Sequence, residues 1–93
     1  MIQGNTVFVP ASTVAYRIIG GSAVLVNIQD NAMLRLNETG SRIWSLLDGR
    51  SVKEIATEIS GQFDVTEEES LQDTREFMEL MSERGLVVVR PIG

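Results

Sequence analysis

The sequence predicts an α+β fold in which a three-stranded antiparallel sheet comes first and three helices follow. Residues 14–36 contain short alternating runs of apolar and β-branched residues, separated by tight-turn residues, and this pattern is typical of strands. Residues 37–85 instead repeat apolar side chains at helical spacing, with cap residues before each run and a glycine near its end. A chain of 93 residues forms one domain at most.

Turn residues divide the first region into three strands. The first strand is predicted over Val14–Ile19, and Gly20-Gly21-Ser22 after it is a hairpin signal. The second strand covers Ala23–Ile28, and Asp30-Asn31 marks the next turn. The third strand covers Ala32–Leu36. Strands joined by turns this short are antiparallel neighbours, so the region is predicted to form a meander.

The first helix is predicted from its cap and its stop. Asn37 can cap a helix of residues 38–48, and Gly49 ends it at a position that favours a left-handed residue. The apolar face of this helix contains Ile43, Trp44 and Leu47. A single aromatic residue among such neighbours is typical of core packing rather than of a ligand platform, so we predict that Trp44 is buried.

The other two helices each begin with a capping box, in which a hydroxyl group and a glutamate carboxylate satisfy free backbone N–H groups. Ser51-Val52-Lys53-Glu54 opens the second helix, which Gly61 is predicted to end. Thr66-Glu67-Glu68-Glu69 opens the third helix, which Gly85 is predicted to end. The predicted inner stripes are Val52, Ile55, Ala56 and Ile59 in the second helix and Leu71, Thr74, Phe77, Met78 and Met81 in the third.

A short strand over Leu86–Val89 completes the order β-β-β-α-α-α-β, which resembles a winged helix-turn-helix. We therefore predict a domain of residues 14–90 preceded by an N-terminal arm of residues 1–13. The arm contains one apolar segment, Val7-Phe8-Val9. This segment could dock on the domain, pair with a second chain to make a homodimer, or stay loose.

The composition excludes several classes of function. The chain has no cysteine and no histidine, so it lacks disulfides, thiolate metal sites, the commonest general base and the commonest metal ligand. We therefore expect a protein that is not an enzyme and that needs no cofactor. No apolar stretch approaches the ~20 residues of a membrane helix, and residues 1–5 show no secretory signal. We expect no membrane partner and a cytoplasmic location.

DNA binding is the function that a winged helix-turn-helix first suggests. A recognition helix needs basic and amide side chains for phosphates and base edges, whereas the net charge of this chain is −5. The third helix carries the acidic residues Glu67, Glu68, Glu69, Asp73, Glu76, Glu79 and Glu83 against Arg75 and Arg84. We therefore expect no nucleic-acid partner. A winged-helix transcription regulator or another protein-interaction module stays the alternative, and a structural fragment held by a larger enzyme is a third hypothesis.

The motifs of residues 34–87 resemble the PqqD family, the small proteins of pyrroloquinoline quinone biosynthesis and their relatives. The features that carry the resemblance, by their order and spacing, are Leu36-Asn37, Thr39, Ile43, Leu47-Asp48-Gly49-Arg50, Ser51, Val52, Ile55, Phe63-Asp64-Val65, Asp73 and Gly85-Leu86-Val87. The resemblance covers about residues 14–89, more loosely over the first two strands. Thr74 departs from the family pattern, which often has an aliphatic residue at this position.

This resemblance implies a three-stranded antiparallel sheet packed on a three-helix bundle, in winged-helix style. It also implies a function, because such domains bind the leader segment of a ribosomally made precursor peptide and present it to a modifying enzyme. That enzyme is often a radical S-adenosylmethionine (SAM) enzyme. The leader would add as a strand to the edge of the third strand, over a groove walled by the third helix.

The resemblance therefore implies peptide-binding residues on two elements. The strand contributes Ala32, Met33, Leu34, Arg35 and Leu36. At 100° per residue, one flank of the inner stripe of the third helix contains Asp73, Phe77, Leu80 and Arg84. Leu80 has no core role in this arrangement, so its apolar side chain indicates either a groove for the leader or a contact with the N-terminal arm.

Overall fold

The computed structural model of the protein describes residues 2–90. Met1, the first residue of the predicted arm, and Pro91, expected after the last strand, lie outside the described residues. The elements in chain order are β1 (Phe8–Pro10), β2 (Val14–Ile19), β3 (Ser22–Asn27), β4 (Ala32–Arg35), α1 (Glu38–Ser45), α2 (Val52–Gln62), α3 (Glu67–Glu83) and β5 (Val87–Val89). The predicted α+β class and the order from β2 to β5 are confirmed, and β1 is an additional strand inside the predicted arm.

Strands β2, β3 and β4 form the predicted antiparallel meander, in that order across the sheet. Ile19 pairs with Ser22, and the two residues between them, Gly20 and Gly21, have φ angles of 59° and 83°. Positive φ at both central residues is the property of a type I′ turn, whose twist matches that of the strands it joins. The second turn contains Asn31 at a φ of 56°.

The starts of α1 and α2 agree with the prediction. The Asn37 side chain accepts a hydrogen bond from the Gly40 N–H at 2.7 Å. Both halves of the Ser51–Glu54 capping box form, with distances of 3.2 Å and 2.9 Å. The pKa of the Glu54 carboxyl is lowered below its usual value. The largest cause is the hydrogen bond from the Ser51 backbone N–H, and the Ser51 hydroxyl and the charge of Arg50 lower the pKa further.

Two predicted helix ends and one predicted capping box differ from the structure, whereas α3 begins after Thr66 as predicted. At Thr66 the structure shows only half of the capping box, because the Glu69 N–H donates to the Thr66 hydroxyl at 3.1 Å without the reciprocal bond. α1 ends at Ser45 rather than at residue 48, because the next two N–H groups each donate to the carbonyl three residues back and tighten the chain into a turn. α2 continues past Gly61 to Gln62.

The helices cover one face of the meander and enclose the core. The predicted stripe of α2 is buried throughout, and in α3 Thr74, Met78 and Met81 are buried while Leu71 and Phe77 are half-buried. The predicted burial of Trp44 is confirmed, since its side chain is 2% exposed. The ring of Tyr16 packs edge-on against it at a centroid distance of 5.6 Å. No helix within residues 2–90 is both long and apolar enough to cross a membrane.

The N-terminal arm docks on its own domain, which is one of the three predicted alternatives. β1 pairs antiparallel with β5, and the Val52 N–H at the start of α2 donates to the Thr6 carbonyl at 2.9 Å. Phe8 is 3% exposed and belongs to the core. The direction of β5 is set by Gly85, whose φ of 70° ends α3 in a Schellman motif.

Candidate functional site

β4 is an edge strand whose free side carries a defined set of hydrogen-bonding groups. Within residues 2–90, β3 is the one strand that pairs with it. The Leu36 N–H donates to the Ala23 carbonyl at 2.9 Å. Because bonded and non-bonded pairs alternate along an antiparallel ladder, Leu34 also bonds towards β3, whereas Met33 and Arg35 direct their N–H and C=O groups away from it. An added strand would therefore pair with the backbone of Met33 and Arg35.

The side chains of β4 alternate between the two faces of the sheet. Leu34 lies opposite the fully buried Leu25 and is itself half-buried. Leu36, just after the strand, is 7% exposed and belongs to the core. Met33, on the other face, is 72% exposed. One side of an added strand would thus face the helices, and the other would face solvent.

Most of the predicted residues of β4 and α3 line two concavities, whereas Arg35 and Leu36 line neither. The first has a volume of about 250 Å³ and is lined by residues that include Ala32, Leu34 and Arg84. The second has a volume of about 370 Å³ and lies between the start of α1 and the flank of α3 that carries Asp73, Phe77 and Leu80. Leu80 and Arg84 are one helical turn apart, so both concavities lie along the same side of α3. We call this surface, formed by residues 32–36 with Asp73, Phe77, Leu80 and Arg84, the β4–α3 groove.

The floor of the groove depends on Gly40, which was not predicted from the sequence. A Cβ atom at Gly40 would lie 3.2 Å from Cε1 of Phe77 and 3.5 Å from the side chain of Leu36. The missing side chain therefore lets the Phe77 ring lie against the first turn of α1. Phe77 is half-buried, and Leu80, one turn of α3 beyond it, is 44% exposed. Glycine lowers the stability of a helix, so its presence inside α1 was the sequence signal for a close contact at this position.

A buried hydroxyl group fixes the end of β4 against α1. The Ser41 Oγ accepts a hydrogen bond from the Ala23 N–H at 2.8 Å and donates one to the Leu36 carbonyl at 3.2 Å. Ser41 is 5% exposed, and its hydroxyl bridges the Ala23 N–H and the Leu36 carbonyl in place of a direct bond between those two groups. Ser41 was not predicted from the sequence, because a serine on a helix has many alternative uses.

Two further buried hydroxyl groups lie on α3, and one of them joins this helix to α2. The Ser70 hydroxyl donates to the Ala56 carbonyl of α2 at 2.6 Å, and the Thr74 hydroxyl donates to the Ser70 carbonyl at 2.8 Å. Both side chains are fully buried. The polar residue that departs from the family pattern, Thr74, is therefore satisfied within its own helix.

Charge is distributed unevenly along the groove. The concavity at the start of α1 contains two acidic side chains, Asp73 and Glu76, beside the apolar Phe77 and Leu80. The concavity at the start of β4 contains one acidic and one basic side chain, Asp30 and Arg84. The groove therefore suits an extended segment with apolar side chains and a positive charge at the Asp73 end.

Comparison with known proteins gives one family and two similar structures. Residues 22–87 match the family described as coenzyme PQQ synthesis protein D (PqqD). The structure of TbiB1 in complex with the TbiA(beta) leader peptide is similar, with 27% sequence identity, a TM-score of 0.81 and coverage of 91% of this chain and 98% of that one. The structure of lasso peptide synthetase B1 complexed with the leader peptide has 21% identity, a TM-score of 0.80 and coverage of 87% and 96%, which supports the fold. No curated protein matches the chain.

Proposed function

This chain belongs to the PqqD family, and from that membership we propose that it binds the leader segment of a ribosomally synthesised precursor peptide and presents it to a modifying enzyme. The leader adds to the free edge of β4 as an antiparallel strand. Its backbone pairs with Met33 and Arg35, and its side chains on one face enter the β4–α3 groove.

The observation that carries this proposal is the free edge of β4 beside an apolar helix flank. An unpaired edge supplies backbone hydrogen bonds that depend little on the sequence of the added strand, and the pockets beside it supply specificity. Phe77 and Leu80 provide the apolar part of such pockets. TbiB1, which is 27% identical over 91% of this chain, was solved with a leader peptide bound.

The test is a calorimetric titration with the leader of the precursor encoded beside this gene. We expect Leu80→Asp to weaken binding by about 1–3 kcal/mol, because it places a charge against apolar side chains of the leader. The side chain is 44% exposed, so the fold should tolerate the change. The matched control is Val88→Asp, an aliphatic residue of β5 that is 48% exposed and lies outside the groove.

A proline placed in the leader at a position that pairs with β4 should also weaken binding, because proline lacks the N–H donor. Unchanged affinity for Leu80→Asp, or amide shifts that map to β2 and α1 instead of β4 and α3, would put the peptide site elsewhere on the protein.

We further propose that the chain acts by binding alone and not as an enzyme, in the cytoplasm, and that its modifying enzyme is of the radical SAM type. The absence of histidine and cysteine from the sequence supports a role without catalysis.

A homodimer through the N-terminal arm would have to form around segments that already contact their own domain, since β1 pairs with β5 and Thr6 with Val52. Light scattering on the purified protein distinguishes monomer from dimer.

A further inference from the structure

The face of the meander that points away from the helices is apolar at its centre. Alternation along the strands puts Ala15, Arg17, Ile19, Val24, Val26, Met33 and Arg35 on this face, which we call the outer sheet face. Val24 and Val26 are half-buried, while Ile19 and Met33 are 51% and 72% exposed. Side chains of this face line a concavity of about 260 Å³.

The outer sheet face is also basic in a protein that is acidic overall. Arg17 pairs with Val24, and Val24 pairs with Arg35, so the two arginines lie in one row across the three strands. At ~4.8 Å between strands, their Cα atoms are about 10 Å apart. The face contains no acidic residue, although the chain has 13 acidic and 8 basic residues.

Within residues 2–90, neither arginine has a carboxylate at salt-bridge distance. The ion pair in this part of the chain is between Arg50 and Asp48. Two unpaired cations beside exposed aliphatic side chains fit a surface of the opposite charge pattern, with carboxylates next to an apolar centre. A second copy of this chain fits poorly. Two outer sheet faces placed together would bring four arginines into one interface, and the acidic solvent side of α3 offers little apolar surface beyond Leu80.

We propose that the outer sheet face docks the modifying enzyme through an apolar patch on that enzyme flanked by carboxylates. This inference rests on the proposed function. Met33 and Arg35 connect the two surfaces, because their backbone groups face the free edge of β4 and their side chains lie on the outer sheet face. An enzyme docked here lies directly beside a leader bound to β4, so the peptide leaves the groove next to the protein that receives it.

The test measures binding of the purified modifying enzyme encoded beside the precursor gene, without leader, by biolayer interferometry. Arg17→Glu should weaken enzyme binding about tenfold or more, and Arg17→Lys should keep most of it, because a charged pair at an interface is lost in the first and retained in the second. Lys53→Glu makes the same change of charge on the exposed side of α2 and should leave enzyme binding unchanged. Calorimetry with the leader should give equal affinities for all four proteins, since neither position lies in the β4–α3 groove.

Binding of the wild-type protein should also weaken as the salt concentration rises from 50 to 500 mM, which tests the charge pattern without any substitution. Enzyme binding that is absent, insensitive to salt, or equal for wild type and Arg17→Glu overturns the inference. Vesicles of phosphatidylglycerol that bind the wild type and not Arg17→Glu, with enzyme binding unchanged, would assign the face to a membrane. A dimer that Arg17→Glu dissociates would assign it to a second copy. Failure of the wild type to bind the leader would instead overturn the proposed function. The two outcomes can be told apart, because leader binding and enzyme binding are measured in separate experiments.

Discussion

At the scale of single residues, buried hydroxyl groups decide how the groove is held. Ser41 connects β3, the end of β4 and α1, while Ser70 and Thr74 anchor α3 to α2 and to itself. The Ser41 hydroxyl bonds to the groove residue Leu36 only at its backbone carbonyl, and the other two hydroxyl groups bond to backbone carbonyls of the helices. We therefore expect any effect of these side chains on peptide binding to be indirect, through the positions of α1 and α3.

Removing the Ser41 hydroxyl should destabilise the protein by about 1–3 kcal/mol, because Ser41→Ala leaves the Ala23 N–H and the Leu36 carbonyl without their partner in a buried position. Urea denaturation measures the change. Ser45→Ala, an exposed serine on the same helix, is the control and should change stability by less than about 0.5 kcal/mol. Equal stability of both variants would mean that water replaces the Ser41 hydroxyl.

Replacing Trp44 by alanine should cost about 3–5 kcal/mol, because its ring is 2% exposed and packs in the core against Tyr16. This is a large part of the stability of a small domain. Met33→Ala, at a side chain that is 72% exposed, provides the control in thermal and urea denaturation. A Trp44→Ala protein that melts like the wild type but loses its ligand would assign Trp44 to a binding site.

At the scale of elements, the proposed antiparallel pairing of a leader with β4 would set the direction of the bound peptide. β4 runs from Ala32, near Arg84, towards Leu36, near Phe77. A strand added antiparallel to it therefore places its N-terminal end beside Asp73 and Glu76. The acidic end of the groove should thus face residues that precede the paired segment of the leader.

A leader with two lysines before its paired segment should bind more tightly than the same peptide with these lysines after it, by about 0.2–1 kcal/mol per charge pair at low salt. Asp73→Asn should reduce the difference, and high salt should remove it. Fluorescence anisotropy with the two synthetic peptides measures the preference. A preference for the opposite order would indicate parallel pairing with β4.

At the scale of the whole molecule, charge is separated between two sides. The acidic residues of α3 lie on the helical side, whereas the strand residues of the outer sheet face include Arg17 and Arg35 and no acidic residue. The acidic α3 also differs from the third helix of a DNA-binding winged helix, which presents positive charge to the duplex. The fold is therefore compatible with two functions, and the charge distribution favours peptide binding over DNA binding.

We expect no salt-sensitive binding to duplex DNA near physiological ionic strength, because α3 and the net charge of −5 repel the phosphate backbone. A mobility-shift experiment tests this expectation. A specific complex at submicromolar protein would favour the alternative function of a transcription regulator and would remove the main reason for placing a peptide beside α3.

The sequence by itself determined the features that depend on neighbouring residues. The glycine pair of the β2–β3 turn, the caps at Asn37 and Ser51, and the buried stripe of α2 all follow from backbone conformation or from helical periodicity, and the structure confirms them. Boundaries were less predictable, because the last turns of α1 and α2 depend on how the chain packs beyond them. The resemblance to the PqqD family supplied the choice of β4 and α3, and the residue assignments of the groove stay predictions.

Only the tertiary structure decided the features that join distant parts of the chain. Phe8 enters the core because β1 pairs with β5 at the other end of the sequence. Ser41 acquires its role because α1 lies against the β3–β4 ladder. The free backbone groups of Met33 and Arg35 follow from the register with β3, and a shift of one residue would turn them inward. The physical reason is the same in each case, since a sequence pattern specifies which face of an element is apolar but not which element will cover it.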